Sequence, residues 1–315
     1  MAGGQERILR RRIRTVQATK KITRAMELIA ASRIVKAQAR VHAAQPYADG
    51  ITEVVQHLQT AGGGSNSAML AQRDVVRRVG IIAMTADRGL CGGYNTAVLR
   101  AAEAEMRDHA AAGRDIALVS VGRKAEGYFR FREVPMEASL SGFSDNPTYE
   151  DARAVAATVI GGFEAEELDQ VELVYTRFVS AGRQEVIVKT MLPLDLDDDQ
   201  LAGNAAPTPG EPAADYEYEP NPDAILEHLL PRYAEARVYA ALLNAAASEH
   251  AARQRAMKAA TDNAEDLILS YTRRMNRARQ DSITTEIMEI VGGAEALAAG
   301  EVESASDAEY YEKSA

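Results

Sequence analysis

Residues 9–44 read LRRRIRTVQATKKITRAMELIAASRIVKAQARVHAA, with apolar side chains at Leu9, Ile13 and Val16, then Ile22, Met26 and Ile29, then Ile34, Ala37, Val41 and Ala44. Spacings of three and four residues put each group on one narrow face of a helix. Between about Gly4 and Gln59 the only proline is Pro46, so the pattern predicts one long helix over residues 1–60. The phase shifts between Val16 and Ile22 and again before Ile34. This reads as an irregular coiled coil rather than an uninterrupted heptad zipper. Gly62-Gly63-Gly64-Ser65-Asn66-Ser67 then ends the helix, as a flexible joint in a linker over 61–76.

From residue 77 to 194 the pattern changes to short apolar runs, Val79 to Thr85, Ile116 to Val121, Val171 to Phe178 and Val186 to Leu192. Helical segments at Thr96 to Ala112 and Thr148 to Leu168 separate them. Alternation of this kind predicts an open, mostly parallel, Rossmann-like α/β domain. Residues 195–223 are rich in acid and proline, a linker composition. Helical periodicity resumes over 224–293, with Pro231 expected to kink its first turns and Gly292-Gly293 as its stop. An acidic tail over 294–315 is expected to be disordered.

One long helix enters the α/β domain and another leaves it. If both leave from one side they lie antiparallel, and at about 1.5 Å per residue they span roughly 85 and 100 Å. The fold class expected is therefore α/β, with a long antiparallel coiled coil of the terminal helices and a central Rossmann-like domain. The C-terminal helix should overhang its partner, and alanine-rich stripes on such helices need pairing or sheathing to be stable.

The net charge of −10 hides an asymmetry. Residues 1–45 hold 11 Lys and Arg against Glu6 and Glu27, a local +9 that leaves −19 for the rest. Such a block faces an acidic partner, a nucleic acid or the acidic body itself. The single cysteine, Cys91, excludes an intramolecular disulfide. No run of about 18 apolar residues and no secretory h-region is present, so a membrane link is expected to run through a partner.

Chemical motifs are sparse. The turn Ala86-Asp87-Arg88-Gly89-Leu90-Cys91-Gly92-Gly93 follows a first strand and could cradle phosphate. It lacks the G-x-G-x-x-G and P-loop spacings, which favours structural glycines. The acidic cluster Asp195, Asp197, Asp198 and Asp199 lacks the glycine and glutamate of an EF-hand and reads as solvated linker. The histidines His42, His57, His109, His228 and His250 form no paired zinc spacing, and no nucleophile motif appears. Neither a catalytic residue, a cofactor site nor a metal site is expected. Two rivals stay open on the residues alone: an α/β nucleotide-binding enzyme with helical arms, and a nucleic-acid scaffold using the basic helix.

Four segments, in order, resemble the gamma-subunit family of F-type ATP synthases. They are Thr19 to Ser32 (TKKITRAMELIAAS), Asp87 to Asn95 (DRGLCGGYN), Ala256 to Asn263 (AMKAATDN) and Ala278 to Ala294 (ARQDSITTEIMEIVGGA). The resemblance implies a non-catalytic rotor shaft, one copy per complex, that couples proton-driven rotation of a membrane ring to ATP synthesis. Its implied partners are a hexamer of alpha and beta subunits, an epsilon subunit and a ring of c subunits, with no nucleic acid. Its implied location is the cytoplasmic face of the bacterial cell membrane, held there peripherally. By the same resemblance Arg279 and Gln280 would catch beta subunits and Met26 would lie near their lever regions. Tyr218 and Glu219 would contribute contacts at the foot. Cys91 stands alone, so the paired-cysteine redox control of the photosynthetic branch should be absent.

Overall fold

The computed structural model describes residues 2–63, 67–194 and 218–312. Asp195, Asp197, Asp198 and Asp199, with most of the acidic, proline-rich linker, lie outside the described residues, as does the centre of the glycine joint. Helix α1 (Ala2–Thr60) is followed by β1 (Arg78–Met84), α2 (Tyr94–Ala111), β2 (Asp115–Val121), α3 (Arg123–Phe131) and β3 (Ala138–Leu140). Then come α4 (Tyr149–Glu164), β4 (Gln170–Phe178), β5 (Gln184–Leu192) and α5 (Pro222–Glu312). By contacts the chain divides into two compact units: residues 1–25 with 258–315, and residues 26–257.

In the unit built from the chain's two ends, the Thr261 hydroxyl donates to the Thr23 hydroxyl at 2.8 Å, both buried. Lys20 pairs with Glu265 at 3.0 Å. Positions fall on one helix as they rise on the other, so α1 and α5 pair antiparallel. Buried or half-buried positions recur along α1 at Leu9, Ile13, Val16, Lys20, Thr23, Glu27, Ala30, Ile34, Ala37, Val41, Ala44, Ala48, Ile51, Val55 and Leu58. These alternate steps of four and three without a break, which is a regular heptad seam. The expected phase shifts are thus corrected: Lys20, Thr23 and Glu27 occupy seam positions, while Ile22 and Ile29 face outward at 61% and 54% exposure. Partnering Thr23 with Thr261 and Lys20 with Glu265 is what lets polar groups replace apolar ones at the seam.

The other unit holds the sheet, ordered β3-β2-β1-β4-β5. β1 runs parallel to β2 and β4, β2 parallel to β3, and β5 antiparallel to β4. One sheet face packs on α2 and α3 through Val98, Ala102, Ala125 and Phe129. The opposite face packs on α4, on Ile51, Val55 and Leu58 of α1, and on Leu226, Leu230, Tyr233, Val238 and Leu242 of α5. Both faces are covered, which is why β1 reads as a continuous apolar run rather than an alternating one. α4 starts at a capping box: the Asp151 N–H donates to the Thr148 hydroxyl and the Thr148 N–H to the Asp151 carboxylate.

The glycine joint is partly corrected. The Gly63 N–H donates to the Leu58 carbonyl and the Gly62 N–H to the Gln59 carbonyl, with Gly62 at φ +88°, a Schellman cap on α1. A Cβ on Gly63 would meet Leu226 and Pro222 at 2.9 Å, so this end of the joint is packed. α5 begins two residues earlier than expected because the Ala224 N–H donates to Asn221 Oδ1 at 2.8 Å and Pro222 occupies the first helical position. Its far end is also corrected, for the helix passes through Gly292 and Gly293 to Glu312 rather than stopping or becoming disordered. Each glycine costs only about 1 kcal/mol in a helix, and the alanines, leucine and glutamates that follow are strong helix formers.

Candidate functional site

Where an open α/β sheet binds a ligand, the crevice lies beyond the carboxyl ends of its strands. Here that place is occupied by the chain itself. The Asp87 carboxylate, just past β1, accepts from the backbone N–H groups of Arg123 (3.1 Å), Gly142 (2.9 Å) and Ser144 (3.0 Å). Burial alone would raise its pKa, but the N–H groups of Ser144, Gly142 and Arg123 outweigh this and hold it below the usual carboxylate range. An internal carboxylate thus sits at the start of α3 where a phosphate would be expected. The turn behind it meets α5 through Tyr94, whose Oη donates to the Ala245 carbonyl at 3.2 Å, and Gly92 supplies a backbone position at φ +59°.

Beside this turn lies a charged cluster that no local motif announces. Arg33 of α1 meets Asp145 at 2.8 Å, Arg88 meets it at 3.3 Å, and His250 Nε2 donates to the Asp145 carbonyl at 3.1 Å. Arg40 holds the neighbouring Asn146 and Pro147. Glu249, 1% exposed, accepts from Arg253 at 2.6 Å. Burial pushes the Glu249 carboxyl up to about 7 against the pull of Arg253, and burial pushes His250 down. The loop after β3 is in this way bolted to both long helices.

The sign of the pH dependence follows from these directions. Glu249 binds its proton more tightly folded than unfolded, so its contribution is present below its ordinary value of 4.5 and is lost as pH rises through about 7. The loss is on the order of 2–3 kcal/mol. His250, with a lowered pKa, acts oppositely in part of that window. The expected result is that the urea midpoint, read from hydrogen exchange of the β1 amides, falls more between pH 5 and pH 8 in the parent than in Glu249→Gln. Equal slopes in the two proteins would contradict it.

Among the described residues one group has the donor set of a metal site: Glu105 and His109 on α2 and Glu172 on β4, with ligand atoms all within 4.8 Å of one another. His109 Nε2 stands 3.1 Å from Glu172 Oε2, Arg114 lies 3.2 Å from His109 Nδ1, and Gln170 donates to the other Glu172 oxygen at 2.8 Å. Sequence motifs miss the group because Glu172 is far along the chain from the other two. The local signal that the sequence holds is the i, i+4 spacing of Glu105 and His109 on α2.

The expected partner residues are divided between the two units. Arg279 and Gln280 lie exposed on α5, with Met275 and Ala278 half-buried beside them. Met26 is half-buried on α1 in the other unit. Tyr218 packs against the larger core and Glu219 is exposed. Beyond Gln280 the packing stripe meets solvent. Ile283 (48%), Ile287 (54%), Met288 (68%), Ile290 (71%) and Val291 (49%) are all exposed. The register accounts for this: with Thr23 opposite Thr261, Ala2 of α1 falls opposite about residue 282. Arg7, Arg11, Arg12, Arg14 and Lys21 are exposed on α1 in the same unit. No helix among the described residues is long and apolar enough to cross a membrane.

Known proteins share this architecture. The Euglena gracilis mitochondrial ATP synthase contains a chain similar in fold at TM-score 0.64, 18% identical, covering 95% of this chain and 96% of that one. A chain of the Tetrahymena thermophila mitochondrial ATP synthase central stalk and c-ring structure is 27% identical at TM-score 0.55, covering 76% of this chain and 99% of that one. The ATP synthase gamma chain of Parafrankia sp. (strain EAN1pec) is 50% identical over 301 residues, 94% of this chain and 99% of the relative. That of Streptomyces griseus subsp. griseus is 47% identical over 300 residues, 94% and 97%. A family model described as ATP synthase matches residues 5–297. With a family match over nearly the whole length and half of its residues shared with a gamma chain, this protein belongs to the ATP synthase gamma chain family.

Proposed function

We propose that the chain is the non-catalytic central rotor shaft of an F-type ATP synthase, coupling proton-driven rotation to ATP synthesis in surrounding subunits. The observation that carries the reading is the group Ile283, Ile287, Met288, Ile290 and Val291, apolar yet exposed along one stretch of α5. An apolar surface of this kind marks a partner interface. In this reading a hexamer of alpha and beta subunits encloses the exposed end of α5, and the basic face of α1 suits an acidic sleeve. The α/β unit, with Tyr218 and Glu219, holds an epsilon subunit and the c ring, one shaft to each complex. Its place is the cytoplasmic face of the bacterial cell membrane, reached only through the ring. Asp87, filling the strand-end crevice with its own carboxylate, argues against the rival of a nucleotide-binding enzyme.

Arg279 and Gln280 then act as catches: a forked cation and an amide that can both donate and accept, aimed outward. The double change Arg279→Ala and Gln280→Ala is expected to keep the helix and the assembled complex, because alanine favours helix and the apolar run is untouched. ATP synthesis in membrane vesicles should fall by roughly tenfold or more, since truncating an interfacial charged pair costs about 2–5 kcal/mol. Parent rates at equal complex content would refute the catch, and loss of assembly would make the two residues structural.

A further inference from the structure

Outside the partner surfaces, Glu105, His109 and Glu172 form a cluster that the rotor function does not use. Two are held at i, i+4 on α2 and the third on β4, so both elements that carry them are fixed by the core. His109 and Glu172 are buried at 7% and 6% exposure, while Glu105 is half-buried and leaves an approach from solvent. The 3.1 Å between His109 Nε2 and Glu172 Oε2 is close to the separation of two ligands sharing one small cation at about 2.0–2.2 Å each. Gln170 orients the second oxygen of Glu172, as outer-shell groups orient metal-binding carboxylates.

We propose that Glu105, His109 and Glu172 bind a zinc-class divalent cation through one imidazole nitrogen and two carboxylates, with the fourth position open to water. In the ion-free state Arg114 guards the site. A guanidinium only donates, so its contact with Nδ1 requires that nitrogen to accept, and His109 then carries its proton on Nε2 and donates to Glu172. On entry of the cation the ring changes tautomer: Nε2 gives its proton to solvent and Nδ1, released by Arg114, takes one up. The neutral ring then ligates through Nε2 and carries hydrogen on Nδ1, and Arg114, a half-exposed side chain, swings away. Two carboxylates near one another are a standing repulsion that the cation removes. The Glu105 carboxyl is pushed up by burial and then by Glu172.

The test is titration of the full chain with Co²⁺ as a spectroscopic substitute and with Zn²⁺, following cobalt visible absorption and heat. The expected result is one saturable equivalent with the strong absorption of a four-coordinate site, displaced by Zn²⁺. Glu105→Gln, at the half-exposed ligand, should keep the fold and weaken binding by at least about tenfold. Arg114→Gln should tighten it by about tenfold, because the guard is gone and the charge with it. That gain separates the proposal from adventitious binding by other histidines and from simple unfolding of a ligand variant. Absence of a saturable cobalt signal, or equal affinity in the parent, Glu105→Gln and Arg114→Gln, would overturn it. Rotor activity is a separate property and is not required for either outcome.

Discussion

Gly122→Ala is expected to abolish folding of the α/β unit, with a loss on the order of 4–5 kcal/mol or more, at the upper end for single substitutions. Gly122 lies between the end of β2 and α3 with φ +90° and ψ 142°, a region open almost only to glycine. A Cβ there would stand 2.2 Å from the Thr85 carbonyl oxygen and 2.8 Å from its carbon. Thr85 cannot retreat: its N–H and hydroxyl both donate to the Val121 carbonyl, and its hydroxyl accepts from the Ala125 N–H at 2.8 Å. The Gly122 N–H itself donates to the Leu140 carbonyl, so three strand ends meet at this residue. Soluble yield and hydrogen exchange of the β1 amides measure the effect. A Gly122→Ala protein with parent protection would show that the strand ends are looser than described.

The second large effect is expected from Ile287→Asp together with Ile290→Asp. Both side chains are exposed, at 54% and 71%, so the chain's own stability should change by less than about 0.5 kcal/mol. Inside the proposed hexamer each isoleucine contributes about 2 kcal/mol of burial, and each aspartate would place a charge against apolar surface at a cost of several more. Assembly with alpha and beta subunits should fall by a thousandfold or more, while α5 and the α/β unit keep their protection. Normal assembly of the double variant would contradict the placement of this helix end. Equal loss of protection in the free chain would show that the run packs within the protein.

How far the sequence foretold this depends on what kind of information each element needs. β1, β2 and β4 were legible because both faces of the sheet are covered there, which writes long apolar runs into the chain, and β5, a half-exposed edge strand, from its β-branched residues. The long helices were legible from their length and from Pro46 being alone in the first. The seam was misread because Thr23 and Glu27 hold seam positions, with Thr23 meeting Thr261 from the other end of the chain. Local periodicity sees only the outward Ile22 and Ile29. α3 and β3 were missed for a different reason: each is short, at nine and three residues, and each is fixed by Asp87, Thr85 and Leu118 rather than by its own pattern. The Asp145 cluster joins residues from α1, two loops and α5 and has no local signature at all. Arg279 and Gln280 came from resemblance, and geometry adds that both face outward.

Rotation itself is the most direct test. Phe131, at the end of α3, is 84% exposed, so Phe131→Cys offers an attachment point at little cost. The native Cys91 is 1% exposed, and burial, followed by the nearby Glu249, pushes its thiol up, so a thiol-reactive probe should choose the new position. In complexes immobilised through the alpha and beta subunits, an optical probe on the introduced thiol of the Phe131→Cys protein is expected to turn stepwise in one direction while ATP is hydrolysed. A probe that keeps a fixed orientation relative to the immobilised subunits through sustained turnover would contradict the rotor account.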